Sequence, residues 1–169
     1  RVFGPNKRAA EIESSKAFAK ALMKKYGIPT AAYETFDDYG KALAYVRAGK
    51  FPIVLKADGL ALGKGVLICE DLREAEGNKI VIEEFLRGKE FEPGEEVSVL
   101  TFTDGKTIVP MVASCDHKRA YDGDKGLNTG GMGTFTPCPF YDAAAEKEVM
   151  ENILLPTMRA MNAEGRPFK

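Results

Sequence analysis

Apolar residues recur at helical spacing in three stretches of the chain. Phe18, Leu22, Met23 and Tyr26 fall on one face of a segment that Ser14 or Ser15 can cap and that Gly27 with Pro29 stops. Asp37 or Asp38 opens a second helix, with Tyr39, Ala42, Leu43 and Val46 facing inward and Gly49 at its end. Asp142 caps a third carrying Val149, Ile153 and Leu154, which Pro156 bends or restarts. Short apolar runs at 53–55, 66–69 and 80–85 read as strands. Residues 96–103 and 107–112 flank Asp104-Gly105, a two-residue hairpin signal. The stretch 70–76 begins like a helix, with Asp71 as its cap, but meets Gly77-Asn78 after barely a turn. That predicts missing residues near Glu76 and Gly77. Residues 113–139, rich in Gly, Asp, Asn, Thr and Pro, predict one long loop of functional character. The pattern is α+β with mostly antiparallel strands.

Length allows one ordinary domain or two small lobes in 169 residues. A formal net charge of −1 supplies no general field for nucleic acid or an anionic membrane, so local cations must do any anion binding. No apolar run is long enough to span a bilayer, and no signal-peptide pattern opens the chain. Cys69, Cys115 and Cys138 lie far apart without paired spacing. This predicts neither a disulfide framework nor a zinc site, and it fits a reducing cytoplasm. Both ends read as connectors within a longer protein.

Three stretches carry candidate chemistry. In the first, 59–65, glycines let the backbone approach a phosphate and Lys64 supplies charge. A Walker loop needs wider glycine spacing, a hydroxyl where Gly65 stands, and a helix where a strand follows. A glycine-rich flap between strands fits better, with a plain hairpin loop as the alternative. Lys56 closes the preceding strand and can clamp a polyphosphate with Lys64, or simply reach solvent. Lys16 sits in a first helical turn, where the macrodipole disfavours a cation; a bound anion would compensate, with a solvated lysine as the commoner alternative. In the second stretch, Glu83, Glu84, Phe85 and Leu86 end an apolar strand whose edge can pair with a flat heterocycle. The third runs from Asp116-His117-Lys118-Arg119 through Asp122 and Asp124 to Asn128-Thr129-Gly130-Gly131-Met132-Gly133. Its glycines can form an anion nest, its cations can hold phosphate or carboxylate, and its acids can hold an amine or sugar hydroxyls. Asp122 and Asp124 do not begin an EF-hand loop, since Gly133 stands where its last glutamate would be. His117, the single histidine, is read as structural before it is read as a general base.

Taken in order, 15–18, 26–30, 54–66, 77–86, 101–106, 116–119 and above all 128–133 resemble the glycinamide ribonucleotide synthetase family (phosphoribosylamine–glycine ligases) of the ATP-grasp superfamily. The resemblance covers nearly the whole chain and implies a partial ATP-grasp fold. Residues 1–18 would be a connector and the start of that region, 19–86 its small lobe, and 87–169 part of its large lobe with the substrate loop. By the same resemblance ATP is held by Lys16, Lys56, Gly63, Lys64 and Gly65 at its phosphates and by Glu83, Glu84, Phe85 and Leu86 at adenine. Its ribose is held by Glu96, with Glu90 as the alternative that fits the spacing from Glu83. Asp116, Lys118, Asn128, Thr129, Gly130 and Gly131 would hold phosphoribosylamine and glycine.

The reaction implied is carboxylate attack on the γ-phosphate of ATP, then displacement of phosphate by the amine, with Mg2+ or Mn2+ neutralising charge. The family's metal-binding Glu and Asn would lie beyond Lys169 and a further domain before Arg1. These residues alone are therefore expected not to turn over, with Val97, Val99 and Ile153 poorly covered. Residues 87–93 interrupt the family pattern before Gly94-Glu95-Glu96.

Overall fold

A computed structural model describes residues 3–59, 66–75, 81–84, 96–123 and 125–168, with backbone alone for 81–84 and 128. The chain forms two units, Pro5–Glu92 and Arg1–Gly4 with Pro93–Lys169.

The first unit opens with α1 (Glu11–Ser14) and α2 (Lys16–Tyr26), followed by β1 (Tyr33–Thr35) and α3 (Tyr39–Ala48). Then come β2 (Ile53–Lys56), β3 (Val66–Cys69), α4 (Leu72–Ala75) and β4 (Val81–Glu84). The expected caps are in place. The Ser15 side chain accepts from the Phe18 N–H, and Gly27 at φ 67° ends α2 in the left-handed region that glycine enters without strain. Asp38 accepts from the Lys41 N–H to start α3, and Asp71 accepts from Arg73 and Glu74 at α4. The strands make one antiparallel sheet in the order β1-β4-β2-β3. The core lies on β2, where Ile53 and Leu55 pack with Val46, Cys69 and Ala75, edged by Phe36, Phe51 and Leu72. Tyr39, expected to face inward, is 45% exposed. It sits in the first turn of α3, so Ala42 and Val46 carry the buried stripe instead.

The second unit contains β5 (Thr101–Thr103), β6 (Ile108–Pro110), β7 (Cys115–Asp116), β8 (Arg119–Tyr121), β9 (Lys125–Asn128) and β10 (Thr134–Phe135). A helical arm follows, made of α5 (Ala143–Val149), a π-helical turn (Met150–Leu154) and α6 (Leu155–Ala163). Asp142 caps the arm through Ala144 and Ala145. The π-turn ends two residues before Pro156, with the Leu155 N–H reaching the Met150 carbonyl. Proline has no N–H for the regular ladder, and the wider turn absorbs that loss.

The β5–β6 connection is longer than the two-residue turn predicted. Asp104 Oδ1 accepts from the N–H groups of Lys106 and Thr107, which closes a wider turn with Gly105 at φ 85°. Asn162 Nδ2 donates to the Gly105 carbonyl at 2.8 Å and ties this turn to α6. Val97 and Val99 are half-buried. Ile153 is exposed as expected, and so are their neighbours Leu100 and Phe102, with Val109 on the partner strand.

Two expectations fail in this unit. The stretch read as one long loop holds paired strands, β7 with β10 and β8 with β9. And Cys115 and Cys138 form a disulfide, with Cα atoms 5.9 Å apart. The β7–β10 pairing sets Cys115 opposite Phe135, three residues before Cys138, and so joins two cysteines that are distant in sequence. Cys69 is a free, buried thiol whose pKa is raised by burial and by the nearby Glu74 and Asp71.

Candidate functional site

Within the first unit, the start of α2 and the end of β2 meet. Asp58 accepts from the Ala17 N–H at 3.2 Å and from the Ser15 hydroxyl at 3.3 Å. The anion expected to offset Lys16 at this helix start is therefore the protein's own carboxylate, 41 to 43 residues away in sequence. Lys16 Nζ donates to the Gly59 carbonyl at 2.7 Å. Burial alone would raise the Asp58 pKa. The N–H groups of Ala17, Gly59 and Lys16 and the Ser15 hydroxyl outweigh it and hold the carboxyl below its ordinary value. This latch fixes the point at which the chain leaves β2 toward the glycine-rich stretch. Gly59 stands at φ 96°, which a side chain would strain.

Lys56 ends β2 opposite Val66 on β3 and Val81 on β4. Glu83 and Glu84 stand in the backbone register opposite Val54 and Ile53. Gly63, Lys64, Gly65, Phe85, Leu86 and Glu90 lie outside the described residues.

Within the second unit, the strands of 115–135 gather the other candidates. Lys118 Nζ lies 2.7 Å from Glu96 Oε1 and 3.0 Å from Asp116 Oδ2. Hydrogen bonds that Lys118 donates to Glu96 and then Asp116 raise its pKa above the ordinary lysine value, against a smaller opposing effect of burial. Glu96, which the resemblance gives to the ATP ribose, is thus joined to a residue it gives to the other substrates. Thr129 organises the next turn. Its hydroxyl donates to the His117 carbonyl and accepts from the Gly131 N–H at 3.1 Å, while its own N–H reaches the Lys118 carbonyl at 3.0 Å. The Gly131 amide is therefore spent inside the turn rather than turned toward a ligand.

Gly130 and Gly131 lie at φ 68° and 78°. A Cβ on Gly131 would come within 3.2 Å of Asp116 Oδ2, so the absent side chain is what admits the carboxylate. Asn128 lies on β9, paired with Arg119 on β8. Arg119 donates to the Gly126 carbonyl at 2.9 Å. His117 packs against the Phe135 ring and donates its backbone N–H to Gly133, which fits the structural reading. Asp116, His117, Lys118, Arg119, Tyr121 and Thr129 are among the residues that line a cleft of about 670 Å³.

Two links escaped the sequence. The Asp58 latch and the Glu96–Lys118 pair each join residues far apart in the chain, and no local pattern announces either. Among the described residues no group of three His, Cys, Asp or Glu side chains gathers to hold a metal. No described helix is long and apolar enough to cross a membrane.

An antiparallel sheet bearing the latch, with hairpins bearing the cleft, is the plan of an ATP-grasp protein. The N5-carboxyaminoimidazole ribonucleotide synthetase of Thermotoga maritima shares the fold, with a TM-score of 0.62 at 19% identity over 95% of this chain and 37% of that one. The family model for the phosphoribosylglycinamide synthetase ATP-grasp (A) domain matches residues 14–169, and the chain belongs to that family. It is 48% identical to the phosphoribosylamine–glycine ligase of Halalkalibacterium halodurans, over 99% of this chain and 41% of the relative. The Listeria monocytogenes ligase is 47% identical over the full chain and 42% of its own length. A crystal structure of the Thermotoga maritima phosphoribosylamine–glycine ligase superposes with a TM-score of 0.84 at 35% identity, covering 99% of this chain and 45% of that one. The chain thus spans about two fifths of the curated relatives it matches. The alignments run over 183 and 184 residues, more than the 169 here, so the relatives carry residues without a counterpart in this chain.

Proposed function

We propose that this chain is the nucleotide- and substrate-binding part of a phosphoribosylamine–glycine ligase. The whole protein would join glycine to 5-phosphoribosylamine with cleavage of ATP to ADP and phosphate. The observation that carries the reading is the cleft of the second unit. There a lysine bridges two carboxylates beside the glycine turn of 128–133, the stretch on which the family resemblance rests most. Asp116 and Glu96 offer acceptors for an amine or sugar hydroxyls, while Lys118 and Arg119 offer donors to a carboxylate or phosphate. Thr129 with Gly130 and Gly131 holds the turn against Asp116. Asn128 is assigned to the same substrate group.

ATP is assigned to the first unit. Lys56 and Lys64 would approach its phosphates, and Lys16 would act there while bound to the Gly59 carbonyl. Glu83 to Leu86 would receive adenine. In lobe terms, 19–86 is the small lobe and 87–169 part of the large one. The chain's own residues bind and orient. Positioning and electrostatics carry most of phosphoryl transfer. The acyl phosphate of glycine is the proposed intermediate.

A divalent ion, Mg2+ or Mn2+, belongs to this chemistry, but the donors described here do not fit one. Glu96 and Asp116 are both engaged by Lys118, so the metal ligands are assigned to another part of the protein. The cytoplasm is the proposed setting, because the reaction consumes ATP. Glycine and phosphoribosylamine are the small-molecule partners.

The test is ADP release by the full-length protein. We expect release that requires glycine and phosphoribosylamine together. Release driven by another carboxylate–amine pair, and none by this one, would assign the chain to a different ligation.

A further inference from the structure

We propose that Cys115 and Cys138 are a redox-controlled staple on the loop of the candidate substrate site. The proposal rests on the substrate reading above only for its effect on ligand. The bond closes a ring over a separation of 23 residues, and Asp116, Lys118, Asn128, Thr129, Gly130 and Gly131 all lie inside that ring. One end leads directly into the site, since Cys115 and Asp116 together form β7. The other end follows β10, whose pairing with β7 is two residues long, Thr134 with Asp116 and Phe135 with Cys115. So short a ladder holds weakly by itself, and the covalent bond keeps it in register.

Inside the ring the order is mostly polar. It consists of the Lys118–Asp116 pair, the Thr129 hydroxyl bonds and a bulged β8–β9 hairpin whose Leu127 is 83% exposed. Among the described residues of the ring, 116–123, 125–127 and 129–137, none is buried. A segment without apolar burial depends on cross-links to limit its freedom, and ring closure supplies that limit.

Disulfides in a reducing compartment are commonly transient or regulatory. Both sulfurs are buried, so exchange waits on opening of the β7–β10 pair. A thiolate of a small-molecule dithiol attacks one cysteine sulfur, and the other cysteine leaves as a thiolate and takes a proton. The second dithiol sulfur then displaces the first cysteine. The protein ends with two thiols and the reagent as a cyclic disulfide. Oxidised glutathione reverses this, yielding two reduced glutathione molecules.

The experiment uses the full-length protein, oxidised with glutathione disulfide or reduced with dithiothreitol, with Cys138→Ser and Cys115→Ala as separate variants. Hydrogen exchange is read over 116–137. We expect exchange there about ten-fold faster in the reduced protein. Either variant should match the reduced form and ignore dithiothreitol. Ribose 5-phosphate should bind several-fold more weakly after reduction and should shift the thiol–disulfide equilibrium toward the disulfide by the same factor, since the linkage is reciprocal. Equal exchange in the two redox states, or failure of Cys115 and Cys138 to cross-link under glutathione disulfide, overturns the staple. If exchange responds as expected but ribose 5-phosphate binds neither form, the staple stands and the substrate reading falls.

Discussion

At the scale of single residues, Lys118 and Asp58 make opposite predictions about pH. Lys118 has its pKa raised by Glu96 and Asp116, so its contribution to stability is full below the unfolded lysine value. That contribution is lost as pH rises through the higher folded value. Its side chain is 44% exposed, so the ion pairs add at most about 1 kcal/mol. Lys118→Met should therefore barely move the melting temperature while weakening ribose 5-phosphate binding by about ten-fold or more, read by calorimetry. A large loss of stability with unchanged binding would make Lys118 a structural residue. Asp58 has its pKa lowered, so its contribution is present above the unfolded carboxylate value and lost as pH falls through the folded one. The melting-temperature gap between wild type and Asp58→Ala should be steady above about pH 5 and close in acid. A gap that persists in strong acid would place the stabilisation elsewhere than in the ionised carboxylate.

At the scale of elements, two glycines of similar backbone geometry separate stability from site. A Cβ added to Gly27, at φ 67°, would meet nothing within 4 Å, whereas one added to Gly131, at φ 78°, would face Asp116. Both alanine variants should lose about 1–2 kcal/mol to left-handed strain. Only Gly131→Ala should also displace Asp116 and weaken ligand binding, which a paired denaturation and calorimetry series would show. Equal binding in the two variants would contradict the Asp116 placement. The same elements show what the sequence could reveal. Ser15, Gly27, Asp38 and Asp142 mark helix ends because a cap acts within its own turn. The strands at 119–121 and 125–128 were illegible because Arg119-Ala120-Tyr121 and Lys125-Gly126-Leu127-Asn128 lack a buried face to alternate against. Lys118 and Asp116 were legible as chemistry, while Glu96 as their partner was not. The disulfide was missed for the same reason, since only the β7–β10 pairing brings Cys115 and Cys138 together.

At the scale of the whole molecule, the account divides labour between the two units. The proposed function gives nucleotide contacts to α2 and β2 and contacts to sugar phosphate and glycine to the strands of 115–135. Ligand-resolved hydrogen exchange on the full-length protein tests that division most directly. Ribose 5-phosphate should protect residues 116–133, and ATP alone should protect the stretch around Lys16 and Gly59. Protection of 116–133 by ATP alone, with none from ribose 5-phosphate, would contradict that division.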